Sequence, residues 1–204
     1  MLKTEKMVLV ERVRVESFID EFNYFNKKNW QTSRSKILVQ RETLSIPLRS
    51  PSTRLVRHDD KFSFHTQLCR PHQFSQEFKI TMSFLKQFAK RRNAILSRAM
   101  IVKLLPNKQV YPHIDRGEYY EIRDRYHLVL SSKGSRMLSG EQEETFVTGD
   151  LFYFNNHVLH EAHNLSEEDR IHVIFDLLPK NFKSYFKVFV SMCKTFIINS
   201  FNLK

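Results

Sequence analysis

Arg170-Ile171-His172-Val173-Ile174-Phe175-Asp176-Leu177 alternates from end to end, and what it alternates is unusual. In an extended chain Ile171, Val173, Phe175 and Leu177 fall on one side, a face fit for a hydrophobic core. The other side carries Arg170, His172 and Asp176 around Ile174. A strand that spends its inward face on Arg and His lines a pocket, because such groups are seldom buried without a partner. An upstream segment has the same character: Arg125, His127 and Val129 share one face, Tyr126 and Leu128 the other. Two such faces make a cavity with fixed positive charge. It suits a dicarboxylate, since guanidinium pairs with carboxylate bidentately and stays charged when desolvated.

Around these strands the C-terminal half reads as β structure. Short segments near 95–105, 109–114, 125–131, 144–148, 151–155, 158–163 and 170–177, separated by turn residues, predict a sandwich or barrel. The N-terminal half reads differently. Phe18, Ile19, Phe22 and Phe25 predict a helix over 17–28 with Ser17 as N-cap. Phe74, Phe78, Met82, Leu85 and Phe88 predict a second over 74–90. Between them Leu44, Ile46 and Leu48 mark a strand at 43–48, and Pro47 assigns it to an edge. Residues 49–73, polar and basic, read as a long loop with one short strand from Lys61 to Phe64. Phe186, Phe189, Cys193, Phe196 and Ile197 predict a helix over 182–201 that docks on the core rather than on a membrane surface. The expected organisation is one domain over 1–204: a helical and mixed part (1–93), a β core (94–180) and a closing helix (181–204). The class is mainly β with flanking helices.

Composition removes several function classes. The chain has 204 residues and four glycines, Gly117, Gly134, Gly140 and Gly149, whose spacing forms neither GxGxxG nor GxxxxGK[ST]. Thirty-three basic against 22 acidic residues give a net charge of +11, which favours anionic partners. Cys69 and Cys193 are too few for a disulfide framework or a thiolate zinc cluster, and a reducing, cytoplasmic setting is expected. Charges interrupt the apolar residues of the N-terminus, so no signal peptide is expected. No 18-residue uncharged stretch exists either, and no membrane span is expected.

Between Tyr111 and Leu178 lies the segment that carries chemistry. His113 and Asp115, two residues apart, project to the same side of an extended chain. With one later histidine they would complete a set of two imidazoles and one carboxylate. That set leaves three adjacent positions open on an octahedral metal, as oxygen-activating non-haem Fe(II) requires. His157, His160 and His163 are the candidates for the third position. His163 would face away from His160 on a strand.

These residues resemble the aspartyl/asparaginyl β-hydroxylase family of 2-oxoglutarate oxygenases, which includes free-proline hydroxylases. The resemblance rests on His113/Asp115, Arg125/His127, Gly149/Asp150 leading into Leu151-Phe152-Tyr153-Phe154, and His160 followed ten residues later by Arg170, all in order. Trp30 and Thr43–Leu48 are similar to the family's N-terminal half, less specifically. The whole covers about 30–180. Its strong part is confined to 111–178. The resemblance implies a double-stranded β-helix (a jelly roll, cupin-like), with Fe(II), 2-oxoglutarate and O2 as the reaction's requirements. It implies His113, Asp115 and His160 as metal ligands, with no catalytic residue beyond the metal centre. Arg170 would grip the distal carboxylate of 2-oxoglutarate. Arg125 and His127 would contact its other carboxylate or the substrate's. The activity implied is hydroxylation of a C–H bond of an amino acid, free and proline-like or an aspartyl/asparaginyl side chain in a peptide, with release of succinate and CO2; a lipid acyl chain is the third substrate candidate.

Pro106-Asn107 replaces the Pro-Gly of many relatives, and Asn tolerates the same left-handed turn. Asn164-Leu165-Ser166 and Asp169-Arg170-Ile171-His172 are closer to the free-proline branch. His172 is expected in the pocket wall, with a substrate contact as the sharper reading. Asp150 is expected to shape a turn, and Gly117–Glu121 to cover the pocket together with the 49–73 loop. Lys86, Lys90, Arg91, Arg92 and Arg98 read as a solvated helix end and the strand after it. The rival functions are a non-catalytic cupin-like module that binds metal or carboxylate, and a basic nucleic-acid-binding protein. The second lacks any RRM, KH or zinc-finger pattern.

Overall fold

A computed structural model describes residues 6–25, 30–32, 34–51, 69–181, 186 and 188–190. Its eleven strands form two antiparallel sheets. The strands are β1 (Met7–Arg12), β2 (Thr43–Pro51), β3 (Cys69–Pro71), β4 (Ala94–Leu104), β5 (Gln109–His113), β6 (Asp124–Ser131), β7 (Ser135–Ser139), β8 (Gln142–Glu144), β9 (Asp150–Phe154), β10 (His160–Asn164) and β11 (Arg170–Pro179). The large sheet runs β1-β9-β6-β11-β4-β2-β3, the small one β5-β10-β7-β8. This is the jelly roll, or double-stranded β-helix.

Each strand of the large sheet sorts its side chains by the pleat. Ile171, Val173, Phe175 and Leu177 of β11 join Tyr126, Leu128 and Leu130 of β6 on the outer face. Two helices cover that face, α1 (Glu16–Tyr24) and α2 (Lys79–Arg91), through Phe18, Phe22, Met82, Leu85 and Phe88. The inner face meets the small sheet through a second cluster with Val129, Met137, Phe152 and Phe154. The polar side of β11 therefore faces the space between the sheets, as its alternation predicts.

Several boundaries differ from expectation. Val15, not Ser17, holds the N-cap position of α1, without a side-chain hydrogen bond, because the helix begins at Glu16, two residues before a Ser17 cap would start it. The helix expected over 74–90 starts only at Lys79; Gln73–Gln76 form a 3-10 turn opened by His72. The apolar stripe runs through both pieces, so periodicity alone does not separate them. No side chain of its own caps α2. The carboxylate of Glu21, from α1, accepts the Ile80 and Thr81 amides and the Thr81 hydroxyl instead. β2 lies inside the sheet order, yet Pro47 pairs on one side only, with β4, because β3 reaches no further than Arg49. The strand expected at 144–148 is β8, three residues earlier. Phe146 lies outside it and stacks on Phe152 at 3.6 Å.

No strand is expected at β1, β3 or β7. β1 opens on the apolar run Met7-Val8-Leu9-Val10 and lies at the sheet's edge, while β7 buries Ser135 and Ser139. Residues 1–93 thus contribute β1, β2 and β3 to the large sheet as well as two helices. Asp150 shapes the turn before β9, accepting the Val147 amide at 3.0 Å, and Asn107 takes a left-handed φ of 54°. The strand expected at Lys61–Phe64 lies outside the described residues, as does most of the 182–201 helix. Phe186 and residues 188–190 are helical, and Val188 is buried against Ile122 and Leu178. Among the described residues no helix is long and apolar enough to cross a membrane.

Candidate active site

The inner faces of the two sheets enclose a cavity of about 390 Å³, the size of a small-molecule site. β5 and β10 pair so that His113 and His160 are register partners. Cross-strand neighbours share a face, and their ring centroids stand 4.2 Å apart. Asp115 lies two residues beyond β5, on an extension held by its amide hydrogen bond to the Asn156 carbonyl (3.1 Å). One ligand atom from each of His113, Asp115 and His160 lies within 4.8 Å of the others. His157 and His163 are outside this group; His163 instead approaches Glu161 at 3.5 Å.

The backbone sets which nitrogen each histidine offers. Nδ1 of His113 lies 2.7 Å from the Tyr111 carbonyl, and Nδ1 of His160 lies 2.9 Å from the Val158 carbonyl. A carbonyl only accepts, so both rings carry a proton on Nδ1, which leaves Nε2 as the atom each can offer a metal. Burial, with the neighbouring His113 ring, lowers the His160 pKa to about 4. Burial alone would lift the Asp115 carboxyl. The Arg125 guanidinium, the Asn156 amide and the two imidazoles outweigh it and hold the carboxyl at about 2. The ionised Asp115 carboxylate, the neutral His160 imidazole and the His113 ring beside them make a nitrogen and oxygen donor set suited to a divalent first-row metal.

Arg125 sits behind Asp115. Its Nη1 donates to Asp115 Oδ2, while Nε and Nη2 donate to the two oxygens of Asp176 at 2.8 and 3.1 Å. Burial opposes its charge, but Asp176 and Asp115 keep it protonated well above the usual range. Arg125 is thus placed to orient a carboxylate of the chain itself. Asn156 Nδ2 donates to the same Asp115 oxygen at 3.0 Å. Deeper in, Arg170 is buried with only neutral partners. Nε reaches His172 Nε2 at 3.1 Å, and Nη2 reaches Met137 Sδ at 3.1 Å. Burial, then the charge of Arg34, lowers its pKa to about 9. His127 and His172 meet through their Nδ1 atoms at 3.3 Å. Burial and Arg170 push both well below the usual imidazole range. His127 lines the cavity and its buried Nε2 has no hydrogen-bond partner. His172 lies behind the wall rather than in it.

Sequence reasoning missed several neighbours. Asp176 was visible as a polar residue in an apolar strand. Asn156 and Arg34 carried no periodic signal. Arg98, expected with the solvated basic run, turns into the cavity and donates from Nη1 to the Tyr120 hydroxyl at 3.0 Å. Arg98 shares the inner face of β4 with Met100 and Val102, which line the same cavity, and a register shift (Ala99 pairs with Phe175, Leu96 with Leu177) leaves Ser97 and Arg98 opposite Asp176. Tyr120 belongs to the short helix α3 (Glu118–Glu121), within the 117–121 segment expected over the pocket.

Known proteins with this architecture include a 2OG-Fe(II) oxygenase-family oxidoreductase from Burkholderia pseudomallei. It superimposes with a TM-score of 0.59 at 10% identity, over 87% of this chain and 86% of that one. A prolyl-4-hydroxylase from Pseudomonas putida gives 0.52 at 12% identity, over 88% and 96%. At such identity the likeness is one of fold. No curated protein matches the chain by sequence. The sequence pattern of one family does match, that described as aspartyl/asparaginyl beta-hydroxylase, over residues 27–179. The match spans β2 to β11 and includes every side chain of the cavity named above. Hydroxylation, an oxidoreductase chemistry, is accordingly the function class of the molecule. The chain belongs to the aspartyl/asparaginyl beta-hydroxylase family.

Proposed function

We propose that this protein is an Fe(II)- and 2-oxoglutarate-dependent dioxygenase that hydroxylates a C–H bond of an amino acid. The observation that carries the reading is the meeting of His113, Asp115 and His160 inside 4.8 Å, with both imidazoles turned to present Nε2. Three ligands on one side of a metal leave room for a chelating co-substrate and oxygen. Bound there, Fe(II) would supply the redox chemistry that couples oxygen and 2-oxoglutarate to substrate oxidation, with succinate and CO2 released.

The chain's own part is binding, orientation and exclusion of water. The Tyr111 and Val158 carbonyls lock the two imidazoles, and Arg125 with Asn156 locks the carboxylate. Arg170 is a buried guanidinium without a carboxylate, and His127 Nε2 is a buried nitrogen without a partner. Both are accounted for by a carboxylate-bearing co-substrate lying between them. Val102, Val110, Ala162 and Ile174 supply the apolar walls that keep the site dry.

Anaerobic titration of the metal-free protein with Fe(II) and 2-oxoglutarate tests this through the visible charge-transfer band of the chelated co-substrate. The band is expected in the wild type and weakened or lost in Asp115→Ala and Arg170→Ala. Metal binding without any band would replace the enzyme by an inert cupin-like module.

A further inference from the structure

Charge in the cavity does not balance. Arg125 is paired with Asp176 and Asp115, and Arg98 lies opposite Asp176 with its guanidinium over the Tyr119 ring at 4.9 Å. Arg34, from the 3-10 turn Arg34–Lys36 ahead of β2, also lines the cavity. Its Nε donates to Thr43 Oγ1 at 3.3 Å and its Nη1 approaches Met100 Sδ at 3.6 Å. Both contacts are neutral and long, and no carboxylate of the described residues pairs with it. Burial, then the charge of Arg125, lowers its pKa to about 10, and the charge of Asp115 offsets this only in part.

Arg125 is held by Asp115 and Asp176, Arg98 by the Tyr120 hydroxyl and the Tyr119 ring, and Arg170 would be engaged by the co-substrate. Arg34 remains, with no carboxylate of the described residues paired with it. We infer that Arg34 determines substrate specificity: the substrate is an aliphatic acid whose carboxylate it receives. The inference rests on the proposed function and sharpens it. The same segment supports the aliphatic part, since Ile37 and Val39 line the cavity beside Arg34 and Ile37 is 48% exposed at its edge. The carboxylate can be the α-carboxylate of a free amino acid or the side chain of a peptidyl aspartate. A peptidyl asparagine offers neither.

Calorimetric titration of the Mn(II)- and 2-oxoglutarate-loaded protein with the proteinogenic L-amino acids and an end-blocked aspartyl peptide tests this. For each acid that binds, its amide is titrated beside it. A charge-assisted pair of this kind corresponds to roughly ten- to a hundredfold in affinity. That factor is expected between acid and amide in the wild type. It should vanish in Arg34→Met and return in part in Arg34→Lys, with the 2-oxoglutarate midpoint moving less than about threefold. Binding of free amino acids or of the blocked peptide separates the two carboxylate sources. If no acid binds, if amides bind as well as acids, or if Arg34→Met loses 2-oxoglutarate instead, the inference is overturned. A wild type without a charge-transfer band would sink the proposed function alone, because titration of the metal-free protein still reads the preference of Arg34 for acid over amide.

Discussion

Replacing Asp176 by Asn changes one oxygen to an amide nitrogen 2% exposed to solvent, and two consequences follow from its contacts. The first is stability. Asp176 accepts from Arg125 at 2.8 and 3.1 Å and from the Tyr119 hydroxyl at 3.0 Å. Asn keeps one acceptor and turns a donor toward groups that themselves donate. Breaking one side of a buried ion pair costs about 3–5 kcal/mol, and the retained acceptor places this change near the lower figure. Against a typical total of about 5–15 kcal/mol the variant still folds. The second consequence is at the metal site. Without Asp176, Arg125 has Asp115 as its one carboxylate among the described residues and raises the positive potential where the proposed metal would sit. Losing a partner that orients a metal ligand typically weakens metal binding about 10- to 100-fold, and Asp176, which acts through Arg125, is expected at the lower figure. Urea unfolding reads the first effect, and Mn(II) titration followed by electron paramagnetic resonance reads the second. Asp169→Asn is the control: its pair with Lys103 at 2.9 Å is half-exposed, and a loss of under about 1 kcal/mol is expected. Asp176→Asn costing no more than the control, with Mn(II) affinity unchanged, would refute the argument that this pair supports the metal carboxylate.

Two other perturbations read the scaffold. Glu21→Ala uncaps α2 from outside the helix and strands the buried Thr81 hydroxyl, so a loss of about 2–3 kcal/mol is expected in urea unfolding; Glu21→Gln, which keeps one acceptor, should lose less, and equal stability of all three proteins would discard the interhelical cap. Acid should destabilise the metal-free protein early. His160, lowered to about 4, and His127 and His172, pushed well below the imidazole range, are neutral when folded, whereas the unfolded chain binds their protons below about 6.5. Stability is thus complete above about 6.5 and falls as pH drops toward 4; an unfolding midpoint that stays flat between pH 7.5 and 5 would contradict the burial of neutral histidines.

What the sequence by itself determined was everything that local geometry can report. Alternation along 170–177 tells which side chains share a face, and the two-residue spacing of His113 and Asp115 puts them on one side. An Arg or His on an inward face implies a pocket without any knowledge of the partner strand. The same reasoning reads the helices at Phe18/Phe22 and Met82/Leu85/Phe88, and it misplaces their first turns. The caps are not local: α2 is capped by Glu21, 59 residues before Ile80. Serine-bearing β7 escapes because its pairing partners, rather than its own residues, make it a strand.

Tertiary structure alone decided the charge pairing. Register between β5 and β10 brings His160 to His113, and a one-residue shift in β4 leaves Arg98 opposite Asp176. Of the four arginines Arg34, Arg98, Arg125 and Arg170, composition shows only positive charge. Which are neutralised depends on distances of about 3 Å between residues far apart in the chain, where Coulomb energy and desolvation outweigh any local preference. Arg125 thereby meets two carboxylates of its own chain, while Arg34 and Arg170 meet none among the described residues.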